Sequence, residues 1–215
     1  MKIAILGGTG KEGAGLGARW ALAGHDIIIG SRDPERARAK AAELRDRTRR
    51  IPIVGHGNRE AAELGRVVVL ALPATGLAAT LPDLREACRG KVVVSTIVPL
   101  TFGGPRLFTP PAAGSAAEEA QALLGDGARV IAAFHHVAAH ELAKTEQEID
   151  CDLLFCGGDQ EAKQTVTELG QNLGVRCIDV GPLSNAGPLE GITALLATIN
   201  RRQKLKNSGI KITGL

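Results

Sequence analysis

Met1-Lys2-Ile3-Ala4-Ile5-Leu6-Gly7-Gly8-Thr9-Gly10-Lys11-Glu12-Gly13 opens the chain. A short apolar run leads into a Gly-x-Gly-x-x-Gly turn, and a helical pattern follows with Ala14, Leu16, Ala18, Ala21 and Leu22 on its apolar positions. Strand, glycine turn and helix in that order are the opening of a dinucleotide-binding βαβ unit. Gly8 is expected to make the tight turn, Gly10 to let a pyrophosphate approach the backbone, and Gly13 to let helix and strand pack. The helix start, with Lys11 and Glu12 in its first turn, offers free amides and a positive dipole end to phosphate.

Working outward, apolar runs alternate with helical patterns. Strands are expected at 25–30, 51–54, 66–72, 91–96, 129–134, 152–156 and 175–180, with helices at 34–48, 59–64, 115–124, 160–173 and 188–203. Repeated strand–helix alternation predicts an α/β, doubly wound, mostly parallel sheet of about eight strands, extended beyond the usual Rossmann set, with a small C-terminal helical part. Residues 1–180 are expected to form the nucleotide-binding domain. Residues 181–215 would complete a second-substrate site and an interface between copies. The stripe Leu189, Ile192, Leu195, Leu196 and Ile199 must bury itself against the domain, a partner subunit or both, which points to a homodimer.

In a doubly wound sheet ligands sit at the carboxyl ends of the strands. After the second strand stand Ser31 and Arg32, with Arg36 one turn on, and no acidic residue occupies the position that would bind the ribose hydroxyls of NAD. Guanidinium and hydroxyl groups there favour a 2′-phosphate, hence NADP. Leu72-Pro73 and Val98-Pro99 lie along the same crevice. His135 falls at the end of the sixth strand, inside Phe134-His135-His136-Val137-Ala138-Ala139-His140. Three readings stay open for this cluster: a substrate- or cofactor-contacting His135, metal ligation by His136 and His140 four residues apart, and ordinary polar loop histidines. No third metal ligand is evident nearby, so no metal is expected.

Composition narrows the classes further. The 215 residues suffice for one sizeable core. Aromatics are 2% with no tyrosine, so aliphatic side chains build the core and stacking platforms for single-stranded nucleic acid are not expected. A net charge of +3 suits local anion binding rather than a nucleic-acid face. No apolar run is long enough to cross a bilayer, and the opening strand leaves no room for a signal peptide. Cys88, Cys151, Cys156 and Cys177 form no C-x-x-C pair and read as reduced thiols of a cytoplasmic protein.

Taken together, the opening turn, Gly30-Ser31-Arg32, Phe134-His135-His136-Val137, Gly181-Pro182-Leu183-Ser184 and the terminal Gly209-Ile210-Lys211 resemble the family of NADPH-dependent coenzyme F420 reductases, the deazaflavin:NADP oxidoreductases. The resemblance covers essentially the whole chain. It implies hydride transfer between NADP and coenzyme F420. Thr9, Ser31, Arg32 and Arg36 would hold the 2′-phosphate, and Leu72, Pro73, Val98 and Pro99 would line the nicotinamide path. His135, Val137 and Ala139 would lie near the stacked rings, with Thr193 and Ser208 reaching in from the C-terminal part. His136, His140 and Ser208 depart from the family pattern. Such chemistry needs no protein nucleophile, so His135 is expected to orient rather than to act as an obligate acid. Rival readings are an NADPH-dependent flavin or imine reductase on the same scaffold, and a non-catalytic NADP-binding protein.

Overall fold

The computed structural model describes residues 1–50 and 52–215. Ile51, at the head of the expected third strand, lies outside them. Among the described residues eight strands form one sheet in the order β3-β2-β1-β4-β5-β6-β7-β8. They are β1 (Lys2–Leu6), β2 (Asp26–Ser31), β3 (Ile53–Gly57), β4 (Val67–Leu70), β5 (Val92–Ser95), β6 (Arg129–Ala132), β7 (Asp152–Gly157) and β8 (Arg176–Asp179). Neighbours pair in parallel from β3 to β6 and again between β7 and β8. Between β6 and β7 the pairing is antiparallel, through Ile131↔Gly157 and Ala132↔Cys156. The helices are α1 (Lys11–Leu22), α2 (Pro34–Thr48), α3 (Asn58–Leu64), α4 (Leu77–Thr80), α5 (Arg85–Cys88), α6 (Ala116–Leu124), α7 (Ala139–Ala143), α8 (Gln160–Gln171) and α9 (Ala186–Gln203).

The β1 sequence shows why both faces are covered. Ile3, Ala4, Ile5 and Leu6 are all fully buried, so the run carries no polar alternation. Successive side chains point to opposite faces. Ile3 and Ile5 join a core with Leu16 and Trp20 of α1 and Val166 of α8, whereas Ala4 and Leu6 join one with Leu77 of α4, Ala117 of α6 and Leu189 of α9. The second helix starts as its sequence predicts: Asp33 Oδ1 accepts from the amides of Glu35 and Arg36 at 3.0 and 3.4 Å, with Pro34 at the first position. Ser115 caps α6 through the Glu118 amide at 3.0 Å.

Several expectations are corrected. β4, β5, β6 and β8 end before their apolar runs do, whereas β2, β3 and β7 continue past theirs to Ser31, Gly57 and Gly157. Residues 77–88, given no element from the sequence, form short helical turns whose Leu77, Leu81 and Leu84 are buried. His25, at the entrance to β2, is buried. It accepts from the Met1 amine at Nδ1 (3.1 Å) and donates from Nε2 to Asn172 Oδ1 at 2.5 Å. The apolar stripe of α9 is split: Leu189 and Leu196 are buried, but Leu195 is 65% and Ile199 44% exposed.

The C-terminal part is anchored by polar groups that an apolar-stripe reading passes over. Glu190 of α9 is fully buried and accepts from the first amides of α6, Ala116 at 3.0 Å and Ala117 at 3.1 Å. Burial raises its carboxyl to about 7. In the tail, the Ile210 carbonyl accepts from the Asp152 amide at 2.8 Å, and the Ile212 amide donates to Asp152 Oδ2 at 2.6 Å. Arg176 grips the same carboxylate from 3.0 and 2.6 Å and holds it below the usual carboxylate range.

Candidate functional site

Parallel pairing lines the strand ends up along one edge. Gly7 donates to the Gly30 carbonyl at 3.0 Å, Ala71 to Leu6 at 2.9 Å, Thr96 to Leu70 at 3.1 Å and Ala133 to Ser95 at 3.0 Å. The row therefore reads Ser31-Arg32, Gly7–Gly10, Ala71–Pro73, Thr96–Pro99, His135. It spans the point between β1 and β4 where the strand order reverses, the usual ligand crevice of such sheets.

The glycine turn differs from its expected division of labour in one respect. The left-handed residue is Gly7 (φ 77), where a Cβ would stand 2.5 Å from the Ala71 carbonyl oxygen. Gly8 serves close approach instead, since its Cβ would meet the Ile5 carbonyl oxygen at 2.8 Å. Gly13 does what packing requires: a Cβ there would lie 2.9 Å from Gly8 Cα. Gly10 precedes α1 without any side-chain cap, so the first-turn amides of Lys11, Glu12 and Gly13 face the ligand side.

A cavity of ≈ 500 Å³ opens at this turn, and Thr9, Gly10, Ser31, Arg32, Arg36, Leu72 and Pro73 all line it. Arg32 and Arg36 have no ion-pair partner among the described residues. The acidic residue at the cavity, Asp33, caps α2 through Oδ1. Asn58 also lines the cavity. It is buried and its Oδ1 lacks a hydrogen-bond partner. Sequence reading missed it, although it stands directly after a strand, on the edge already singled out.

Glu12 turns inward from the first turn of α1. Its Oε1 is buried without a partner, and burial pushes the carboxyl up to about 8, against a smaller opposing pull from the Thr96 hydroxyl. The shift favours the protonated, uncharged form near neutral pH, which removes a negative charge from beside the first-turn amides of α1. Thr96 was not singled out either; its place next to Val98-Pro99 on a strand end was the available signal. Val98 and Pro99 themselves are half-buried after β5 and do not line the cavity.

At the far end of the row Phe134 takes a left-handed backbone conformation (φ 68) and stacks edge-on against Trp20, 5.4 Å between centroids. The chain thus reverses sharply at His135. The His135 ring is 4% exposed, and neither ring nitrogen has a hydrogen-bond partner. Burial first, and the neighbouring His136 second, lower it to about 3, so the imidazole is neutral. It does not line the cavity at the glycine turn. Thr193 does reach this place, donating to the His135 carbonyl at 3.2 Å. Val137 is buried just beyond.

The remaining residues are separated. His136 is buried, its Nε2 accepting from the Leu154 amide at 3.2 Å and lying 3.1 Å from the Asp152 carbonyl. His140 is exposed on α7. The two do not face each other on one helix, because α7 begins only at Ala139. Lys11 and Ala139 meet in a second cavity beside Gly10. Ser208 lines a third, with Ala138, and its amide donates to Asn200 Oδ1 at 3.1 Å.

Sequence reasoning did not find the residue that fixes the 133–151 connector. Arg19 of α1 is buried and donates to four carbonyls: Leu142 (3.1 Å), Glu141 (2.8 Å), Lys144 (2.6 Å) and Gln147 (2.8 Å). Gly15 permits the approach, since a Cβ there would lie 2.6 Å from Leu142 Cβ.

The family model described as NADP oxidoreductase, coenzyme F420-dependent, matches residues 2–99. The chain is 41% identical over 222 residues to the F420-dependent NADP reductase of Methanothermobacter marburgensis, covering 100% of this chain and 99% of that protein. It is 43% identical over 224 residues to the F420-dependent NADP reductase of Methanocaldococcus jannaschii, with the same coverage. Among solved structures it is similar to a proposed F420-dependent NADP reductase from Arthrobacter sp. FB24, at a TM-score of 0.84 and 25% identity over 100% of both chains.

Proposed function

The chain belongs to the family of coenzyme F420-dependent NADP oxidoreductases, and on that premise we propose how its residues share the reaction. The protein is an NADP-dependent oxidoreductase that moves a hydride between NADP(H) and coenzyme F420. One observation carries the residue assignment: Thr9, Ser31, Arg32 and Arg36 line a single cavity in which the guanidiniums have no ion-pair partner among the described residues, while Asp33 turns Oδ1 to a helix cap. This arrangement suits the 2′-phosphate of NADP.

Gly8, Gly10 and the amides of Lys11, Glu12 and Gly13 hold the pyrophosphate. Leu72 and Pro73, then Val98 and Pro99, guide the nicotinamide along the carboxyl edge toward β6. When bound, nicotinamide and deazaflavin supply the hydride chemistry between them. The chain contributes alignment. Ring nitrogens of His135 that lack partners in the fold fit a role as an orienting hydrogen-bond group, with Thr193 fixing the backbone at that point. Val137 and Ala139 lie near the stacked rings, and Thr193 and Ser208 reach the second substrate from the C-terminal part. Residues 181–215 complete this half of the site.

Comparing coenzyme F420, FMN and FAD as partners at fixed NADPH tests the reading. We expect rapid turnover with F420 alone and strong preference for NADPH over NADH. Turnover with FMN but not with F420 would overturn it.

The exposed Leu195 and Ile199 on α9 fit a homodimer interface. Leu195→Glu should then give a monomer by analytical ultracentrifugation, and an unchanged mass would refute this interface. No helix among the described residues is long and apolar enough to cross a membrane. All four cysteines are unpaired, which fits a cytoplasmic site of action.

A further inference from the structure

The turn at Gly10 has two sides. On the side of α1 and α2 lies the second cavity, ≈ 660 Å³, which shares Thr9 and Gly10 with the first. Its charged wall comes from four separate parts of the chain: Lys11 of α1, Lys40 and Arg47 of α2, His140 of α7 and Lys206 of the tail. Glu43 is the acidic residue in that wall, and Lys40 already pairs with it at 2.5 Å. Lys11, Arg47 and Lys206 have no ion-pair partner among the described residues. Excess positive charge in a concave, protein-walled site focuses its field on an anion.

Position decides which anion. Arg32 and Arg36, assigned to the 2′-phosphate, line the other cavity and not this one. The walls here include Ala139 and Ala143 of the β6–β7 connector and Lys206, two residues before Ser208. The connector is placed near the stacked rings, where the deazaflavin meets the nicotinamide, and Ser208 is assigned to the second substrate. Coenzyme F420 differs from its bare deazaflavin ring system by a side chain bearing a phosphodiester and glutamate carboxylates. We propose that this cavity binds that acidic side chain, with Lys11, Arg47 and Lys206 as its cationic contacts and His140 at its rim. The proposal rests on the F420 reading given above. Dinucleotide and deazaflavin would then bring their negative charges to opposite sides of one glycine turn, each with its own cations.

The test uses the whole protein, NADPH, and two partners: coenzyme F420 and the same deazaflavin without the acidic side chain. Arg47→Glu combined with Lys206→Glu should raise KM for F420 roughly tenfold. KM for the tail-less deazaflavin and the NADPH Kd from fluorescence titration should stay within about twofold. KM of the unchanged protein for F420, but not for the tail-less compound, should rise with added salt. Lys206→Glu alone, in the exposed tail, should show a smaller shift of the same kind and covers the case in which the double variant fails to fold. Equal shifts for both deazaflavins, an unchanged KM for F420, or a loss confined to NADPH binding would each overturn the proposal. If the unchanged protein used neither deazaflavin, the F420 reading itself would fall, and this inference with it.

Discussion

At the β2 end of the crevice, Ser31, Arg32 and Arg36 project from a strand terminus and the first turn of the next helix into an open cavity. At the β6 end, His135 and His136 lie inside the fold, 4% and 2% exposed, on a chain reversal that begins at a left-handed Phe134. The first end is assembled by neighbours in sequence: Asp33 caps α2, and Ser31 Oγ accepts from the Asp33 amide at 3.2 Å. The second is assembled by residues far away along the chain: Arg19, Trp20, Thr193 and Asp152. A site built from local rules keeps its charges free for a ligand. One built by long-range contacts buries its polar groups and offers the ligand shape and a few ring nitrogens that the fold leaves without partners.

Breaking each end separately should therefore give different kinds of damage. The largest effect is expected from Arg32→Asp, which places a carboxylate where the 2′-phosphate would lie. It should lower kcat/KM for NADPH by roughly two to three orders of magnitude and turn the preference toward NADH. Retained NADPH preference would remove Arg32 from the phosphate site. Arg19→Ala should strike the other end through stability, costing about 2–4 kcal/mol in denaturant unfolding because a buried charged donor leaves four carbonyls behind. Its NADP affinity should be nearly unchanged. Arg19→Lys should not rescue it, since a point charge cannot reproduce the planar fork.

Smaller still, His135→Ala should lower turnover about tenfold without loss of NADP binding. Equal rates for both proteins with the deazaflavin would end its orienting role. The subtlest effect belongs to Glu12, whose proton is lost as pH rises through about 8. The carboxylate formed beside the pyrophosphate amides should raise the NADP Kd several-fold above that pH, and Glu12→Gln should flatten the profile. The sign for folding follows from the same shift. A raised carboxyl pKa means the native protein holds a proton the unfolded chain has released, so this group's contribution to stability declines from pH 4.5 to about 8.

The difference between the ends also explains what the sequence could reveal. Alternating apolar runs and helix signals were enough for the sheet, for its eight strands and for the cavity holding Thr9, Ser31 and Arg32, because periodicity and capping are short-range. The left-handed turn slid one residue, from Gly8 to Gly7, because adjacent glycines offer the backbone equal freedom and only contact with Ala71 separates them. The direction of β7 was not legible, since strand pattern does not encode orientation. The burial of His25 was not legible, since its partners, Met1 and Asn172, are remote in sequence. Glu190 went unnoticed because a lone acid in an apolar stripe gives no sign of the helix start that it caps.

The four carbonyls gathered on Arg19 have a consequence for protein engineering. Exchanging residues 133–151 for the connector of a related reductase is the natural route to a new hydride partner. That segment, however, is moored to a side chain on α1, the helix whose first-turn amides are proposed to hold the pyrophosphate. A transplanted connector must bring carbonyls into the same fork, or the donor's α1 must travel with it. On the proposed placement of the second substrate at this end, acceptor choice would be a property of two chain segments moved together, not of an interchangeable loop.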